Sequence, residues 1–94
     1  MIIVRETFIT KPGMASKFAK LMKEVMGPNA RVMTDLTGRF NHVVVETEMK
    51  SLQDFQKRMD SYKKDKDKDK KVQEKMAGYT EMYMTGKREI YQVL

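Results

Sequence analysis

Apolar residues crowd the first ten positions of the chain and recur with a two-residue period. Residues 2–10 (IIVRETFIT) are rich in β-branched and aromatic types and stop at Lys11-Pro12-Gly13, which predicts a strand. Ile2, Val4, Glu6 and Phe8 share one face of it; Ile3, Arg5, Thr7 and Ile9 share the other. Both faces are largely apolar, so both are expected to be covered. The period then changes. Met14, Phe18, Leu21, Met22 and Val25 form one stripe at helical spacing over residues 14–26, with Lys17, Lys20, Lys23 and Glu24 mainly away from it. Gly27-Pro28 is a helix stop.

Residues 30–36 and 42–49 return to strand character, and Thr37-Gly38-Arg39-Phe40-Asn41 between them supplies turn chemistry, so a hairpin is predicted. Val43, Val45 and Thr47 face one way; His42, Val44, Glu46 and Glu48 face the other. Ser51 can cap the next helix, with Asp54 three residues on. Leu52, Phe55, Met59 and Tyr62 form its apolar stripe. The stripe is lost through the run from Lys63 to Lys71 and resumes as Val72, Met76, Tyr79 and Tyr83. This predicts one interrupted helix, or two with a kink near residues 63–70, ended by Gly86. Residues 88–93 (REIYQV) read as a final strand.

The order is β-α-β-β-α-β, which predicts one α+β domain over residues 1–94, with a four-stranded antiparallel sheet and both helices on one side. The other sheet face is left bare, with Ile3, Ile9 and Val44 on it. Apolar sheet surface of that extent marks an interface. A homodimer with the two sheets face to face is expected, its candidate face formed by Ile3, Arg5, His42, Val44 and Glu46.

Composition narrows the chemistry. No cysteine occurs, which excludes disulfides, cysteine nucleophiles, iron–sulfur clusters and cysteine-ligated zinc. His42 is the single histidine, so a serine triad has one candidate base. No phosphate-binding loop, dinucleotide fingerprint, nucleophile elbow or His-Glu-x-x-His occurs. No apolar run approaches the roughly 18 residues of a membrane span. Met1 to Thr10 is too short and polar for a signal peptide, so a cytoplasmic protein is expected. The net charge of +6 is spread evenly: residues 1–50 carry 8 basic and 5 acidic groups, residues 51–94 carry 11 and 8. A nucleic-acid binder more often clusters its charge. The run Lys63 to Lys71 alternates sign, so much of its field cancels, and it reads as a solvated surface or a connector.

The whole chain resembles the dimeric α/β-barrel superfamily, which is ferredoxin-like, and within it the group around the NIPSNAP proteins and antibiotic-biosynthesis-type monooxygenases. The residues that carry the resemblance are the first strand running into Lys11-Pro12-Gly13, then Thr34-Asp35-Leu36-Thr37-Gly38, Phe40-Asn41 and Val43-Val44-Val45-Glu46. Ser51-Leu52-Gln53-Asp54-Phe55 and Gly86-Lys87-Arg88-Glu89-Ile90-Tyr91 complete it. The resemblance implies a small-molecule pocket between sheet and helices, for a planar or aromatic compound, in either a binder or a cofactor-independent oxygenase. Haem-degrading members place an asparagine on the first strand and a tryptophan and a histidine on the second long helix. Glu6 falls near the asparagine position and Arg58 near the tryptophan position. No histidine follows His42, so the axial ligand has no counterpart. No cofactor is expected.

Glu6 is the candidate catalytic residue. Ile2, Val4 and Phe8 share its face, and an unpaired carboxylate buried there would hold its proton more tightly, which suits a general base or a neutral acid. A structural pair with Arg58, or an exposed position at the edge, is the simpler explanation of Glu6. Phe8, Phe55, Arg58, Met59, Tyr62 and Tyr83 are the candidate pocket residues. Tyr79 and Tyr91 can also orient a ligand, although helical spacing suits Tyr62, Tyr79 and Tyr83 to a core. Met14, Met22, Met59 and Met76 of the ten methionines fall on the stripes, and Met82 and Met84 can line the same space; a Met-lined pocket would accept varied apolar ligands. His42 and Glu46 stand more than about 12 Å apart along one strand, so no metal site is expected. Arg5 with Glu46 across neighbouring strands is the simpler role for that carboxylate.

Two other functions compete with a ligand-binding or enzymatic protein. One is a dimeric structural module whose pocket is filled by its own side chains. The other is RNA binding, since RNA-recognition modules share this element order. Those modules stack bases on aromatic rings of the central strands. Here the corresponding positions are aliphatic, which argues against nucleic acid as a partner.

Overall fold

In the computed structural model, which describes residues 1–64 and 78–94, the elements are β1 (Ile2–Thr10), α1 (Ala15–Met26), β2 (Ala30–Thr34), β3 (His42–Met49), α2 (Leu52–Lys64), a 3-10 turn (Tyr79–Glu81) and β4 (Tyr83–Gln92). The side chains of Tyr62, Lys63 and Lys64, the rest of the Lys63 to Lys71 run with its anticipated kink, and Val72 and Met76 lie outside the described residues. The strands form one antiparallel sheet in the order β2-β3-β1-β4. This is the anticipated ferredoxin-like α+β arrangement. No helix among the described residues is long and apolar enough to cross a membrane.

Strand alternation sorts the side chains as expected. Val4 and Phe8 of β1 face Thr47 and Val43 of β3 on the helix side. Phe18 and Met22 of α1 close over Val43 and Val45, and Phe18 is completely buried. Burying a phenylalanine contributes about 1.5–3 kcal/mol. Packing therefore fixes α1, since Met14 at its N-cap donates no side-chain cap. Gly27, at φ 75°, ends the helix with its N–H on the Lys23 carbonyl.

Ser51 caps α2, its Oγ accepting the Asp54 N–H at 3.3 Å. Phe55 and Met59 are half-buried, but Leu52 of the anticipated stripe is 59% exposed. No described side chain of α2 is fully buried. The core belongs to α1 and the central strands.

Two boundaries differ from the sequence pattern. β2 stops at Thr34 and not at residue 36, because the Asp35 carboxylate turns inward and accepts the N–H groups of Phe40 at 2.8 Å and His42 at 3.0 Å. Phe40 and Asn41 take left-handed φ of 65° and 57° in the loop that results. The Asn41 carbonyl is held from the other side by both the N–H and the hydroxyl of buried Thr10.

The second difference is larger. Tyr83 does not continue a helix and Gly86 does not end one: both lie in β4, which begins at residue 83 and not 88. Gly86 faces Phe8, and a Cβ there would stand 3.0 Å from the ring's Cδ1. Glycine marks a close approach here, which is its other use in strands.

Candidate functional site

The sheet places Glu6 on its helix side, opposite Val45 of β3 and Arg88 of β4. Its carboxylate lies 3.6 Å from the Arg88 guanidinium, and the two side chains are 26% and 42% exposed. Glu6 is therefore neither an unpaired buried carboxylate nor a fully wet one. At that separation the pair keeps free lone pairs on one side and N–H donors on the other. Arg88 also lies over the ring of Phe55 at 5.5 Å, so it ties the edge strand to α2.

An aromatic cluster stands beside the pair. Phe8 meets Phe18 edge-on at 4.9 Å and Tyr83 at 5.1 Å, and Tyr83 continues to Tyr79 at 5.9 Å. A depression of about 220 Å³ opens there, lined by Glu6, Phe8, Tyr83, Gly86, Lys87 and Arg88. Glu6, the candidate catalytic residue, and Phe8, Phe55 and Tyr83 of the candidate pocket residues are brought together around Arg88. Arg58 and Met59 sit half-buried on α2. Arg88 is not among the site residues that the sequence pattern suggests; the signal for it is the need of Glu6, on an apolar face, for a cation on a neighbouring strand.

The opposite face carries the residues named for dimerisation. Ile3, Ile9 and Val44 are half-buried in the single chain, as are Arg5, His42 and Glu46. Arg5 donates to Glu46 from Nε at 2.9 Å and from its terminal nitrogen at 2.8 Å, which is the cross-strand pair anticipated. Arg5 also lies over the Tyr91 ring at 5.2 Å, and the Tyr91 hydroxyl donates to Glu89 at 2.7 Å. That hydrogen bond, helped by Lys87 at 3.4 Å, holds the Glu89 carboxyl below its ordinary range, and the same bond to Glu89 holds the Tyr91 hydroxyl above its own. An open trough of about 710 Å³ runs over this face between Arg5, His42, Val44, Glu46 and Lys87. It is a broad concavity of the sheet face, and the Glu6–Arg88 pair with its depression lies on the other, helix-bearing side. Neither central strand presents a phenylalanine, tyrosine or tryptophan ring to the trough.

A NIPSNAP family protein from Agrobacterium tumefaciens superposes with a TM-score of 0.78 over 99% of this chain and 92% of its own, at 14% identity. The fold is that of the NIPSNAP proteins. An uncharacterized NIPSNAP-like domain protein from Burkholderia xenovorans gives a TM-score of 0.78 at 17% identity, covering 99% of this chain and 84% of its own. A Deinococcus radiodurans protein, provisionally assigned as an antibiotic-biosynthesis monooxygenase, gives 0.66 at 13% identity, covering 99% and 92%. These are the two groups the sequence resembled, and at such identities the likeness is one of fold. No protein-family model matches the chain, and no curated protein matches it by sequence.

Proposed function

We propose that the protein is a homodimer that binds a small planar or aromatic compound on the helix side of each sheet, with Glu6 and Arg88 as its polar contacts. The observation that carries this reading is the loose Glu6–Arg88 pair, 3.6 Å apart, set against the rings of Phe8, Tyr83 and Phe55. A carboxylate beside a guanidinium offers an acceptor and a donor on adjacent points. It suits a flat molecule with a donor beside an acceptor, such as a hydroxy-ketone on a ring. The aromatic walls suit its faces. In an enzyme of the monooxygenase-like kind, Glu6 is the base that takes a proton from the bound hydroxyl and Arg88 faces the anion that forms. The dimer covers the face on which Ile3, Ile9 and Val44 stand unbacked by any helix among the described residues.

Native mass spectrometry of freshly purified protein, against a denatured control, tests this. A mass near twice 11.0 kDa, with an adduct lost on denaturation, is the expected result. Arg88→Ala should remove the adduct, and Glu6→Gln should keep binding while abolishing any turnover. A dimer that carries no adduct and binds none of a panel of phenols, quinones and hydroxy-ketones would overturn the ligand site.

A further inference from the structure

One row of four charges crosses the open face of the sheet. The register sets Arg31 of β2 beside Glu46 of β3, Glu46 beside Arg5 of β1, and Arg5 beside Glu89 of β4. The signs alternate from one edge to the other, and every strand contributes one residue. The inner pair, Arg5 and Glu46, is closed by short hydrogen bonds. Arg31 at the β2 edge is exposed and has no ion-pair partner among the described residues.

The row reads the same backwards with its signs exchanged, and that has a consequence for how two copies can meet. Two sheets packed face to face by a two-fold must have the axis in the plane between them. An axis running along the strands sets β2 over the partner's β4 and β3 over the partner's β1. Arg31 then stands by the partner's Glu89, and Glu46 by the partner's Arg5. An axis running across the strands at this height sets each strand on its own copy, and each charge on an identical charge, which is repulsive. The strands alternate in direction along the order β2-β3-β1-β4, so β2 and β4 run opposite ways. With the axis along the strands, each β2 edge therefore lies antiparallel to the partner's β4 edge, the orientation in which two sheets close into a barrel.

We propose that this chain selects its dimer by the row Arg31–Glu46–Arg5–Glu89: the two-fold runs along the strands, and the two rows join into a ring of eight alternating charges that lines the space between the two sheets. The inference rests on the dimer reading above. The occupant of the open face is a second copy of this chain, and the contacts that close the ring are Arg31 with the partner's Glu89 at both rims. A self-complementary face of this kind is what an isologous interface requires.

Charge reversal tests the ring apart from the dimer. Arg31→Glu alone and Glu89→Lys alone each put like charges at both rims, and each should raise the dimer dissociation constant about tenfold or more. Mixing the two single variants should restore association, because their heterodimer has one reversed pair and one native pair. Native mass spectrometry of an equimolar mixture should then show the heterodimer well above the roughly half expected from random exchange. Far-UV circular dichroism of each variant checks that it is folded. Dimers of unaltered affinity that mix at random would overturn the ring and leave the dimer standing. A preference of Arg31→Glu for the unaltered chain would overturn it in favour of the axis across the strands. An unaltered protein that stays monomeric throughout would overturn the dimer and the ring together.

Discussion

Gly86 and Phe8 face each other across the β1–β4 ladder, and a methyl group on Gly86 would stand 3.0 Å from the Phe8 ring. The ring cannot retreat freely, because Phe18 and Tyr83 abut it at 4.9 and 5.1 Å. Gly86→Val should cost about 1–3 kcal/mol by overpacking, although valine is the better strand former. Urea unfolding followed by circular dichroism reads the loss. Phe8→Leu in the same chain should recover part of it.

Glu6 and Arg88 can be apportioned by a double-mutant cycle. The pair is partly exposed and 3.6 Å apart, so its coupling should be at most about 1 kcal/mol. Arg88→Ala should cost more than Glu6→Gln, since it also removes the guanidinium from the Phe55 ring, a contact of about 0.5–1 kcal/mol. Equal losses from the two substitutions would show that the Phe55 contact contributes nothing.

Asp35 accepts two backbone N–H groups that hold Phe40 and Asn41 at positive φ. Asp35→Ala should destabilise the chain by about 1–3 kcal/mol, the range for stranding such groups. Phe40→Gly should do the opposite and raise the melting temperature. Phe40 is 78% exposed and contributes little burial, while glycine takes its φ without strain. A lowered melting temperature would mean that the exposed ring has packing value.

Glu89 titrates below its ordinary value first because the Tyr91 hydroxyl donates to it, and then because of Lys87. A carboxyl depressed in the folded state adds stability that is fully present above its unfolded pKa and is lost as the pH falls through the folded one. Tyr91→Phe should move the Glu89 titration, followed by carboxyl NMR shifts, upward toward 4.5 and shorten that acid limb. Tyr91 behaves in mirror image: its raised pKa adds stability that is full below pH 10 and lost above its folded pKa. An unmoved Glu89 titration would assign the shift to Lys87.

The fold was legible because two periods alternate cleanly along the chain. Ile2 to Thr10 and His42 to Met49 were bounded by the alternation itself, and the Arg5–Glu46 pair followed from which residues shared a face. What the pattern did not carry is register. Arg88 is the partner of Glu6 only because β4 lies beside β1 in one particular alignment, and nothing local to residues 86–90 encodes that. Gly86 was read as a helix stop because glycine serves both as a stop and as room for a neighbour. The deciding neighbour, Phe8, is 78 residues away in the chain. Tyr83 went with it, its fit to a helical stripe being outweighed by the ladder it joins at Thr10.

The burial of Phe18 and Met22 of α1 against the central strands, set beside an α2 with no fully buried side chain among those described, divides the labour of the two helices. One helix supplies buried side chains to the core; the other rests, among the described residues, on half-buried contacts, which favours its opening first while the hydrogen-bonded sheet stays intact. Amide protons of α2 should accordingly exchange with solvent long before those of α1. A guest molecule could reach Glu6 and Arg88 through that opening without waiting for the whole chain to unfold. Lineages of such a protein could also rewrite the α2 surface, and so the range of guests, without compromising the framework beneath.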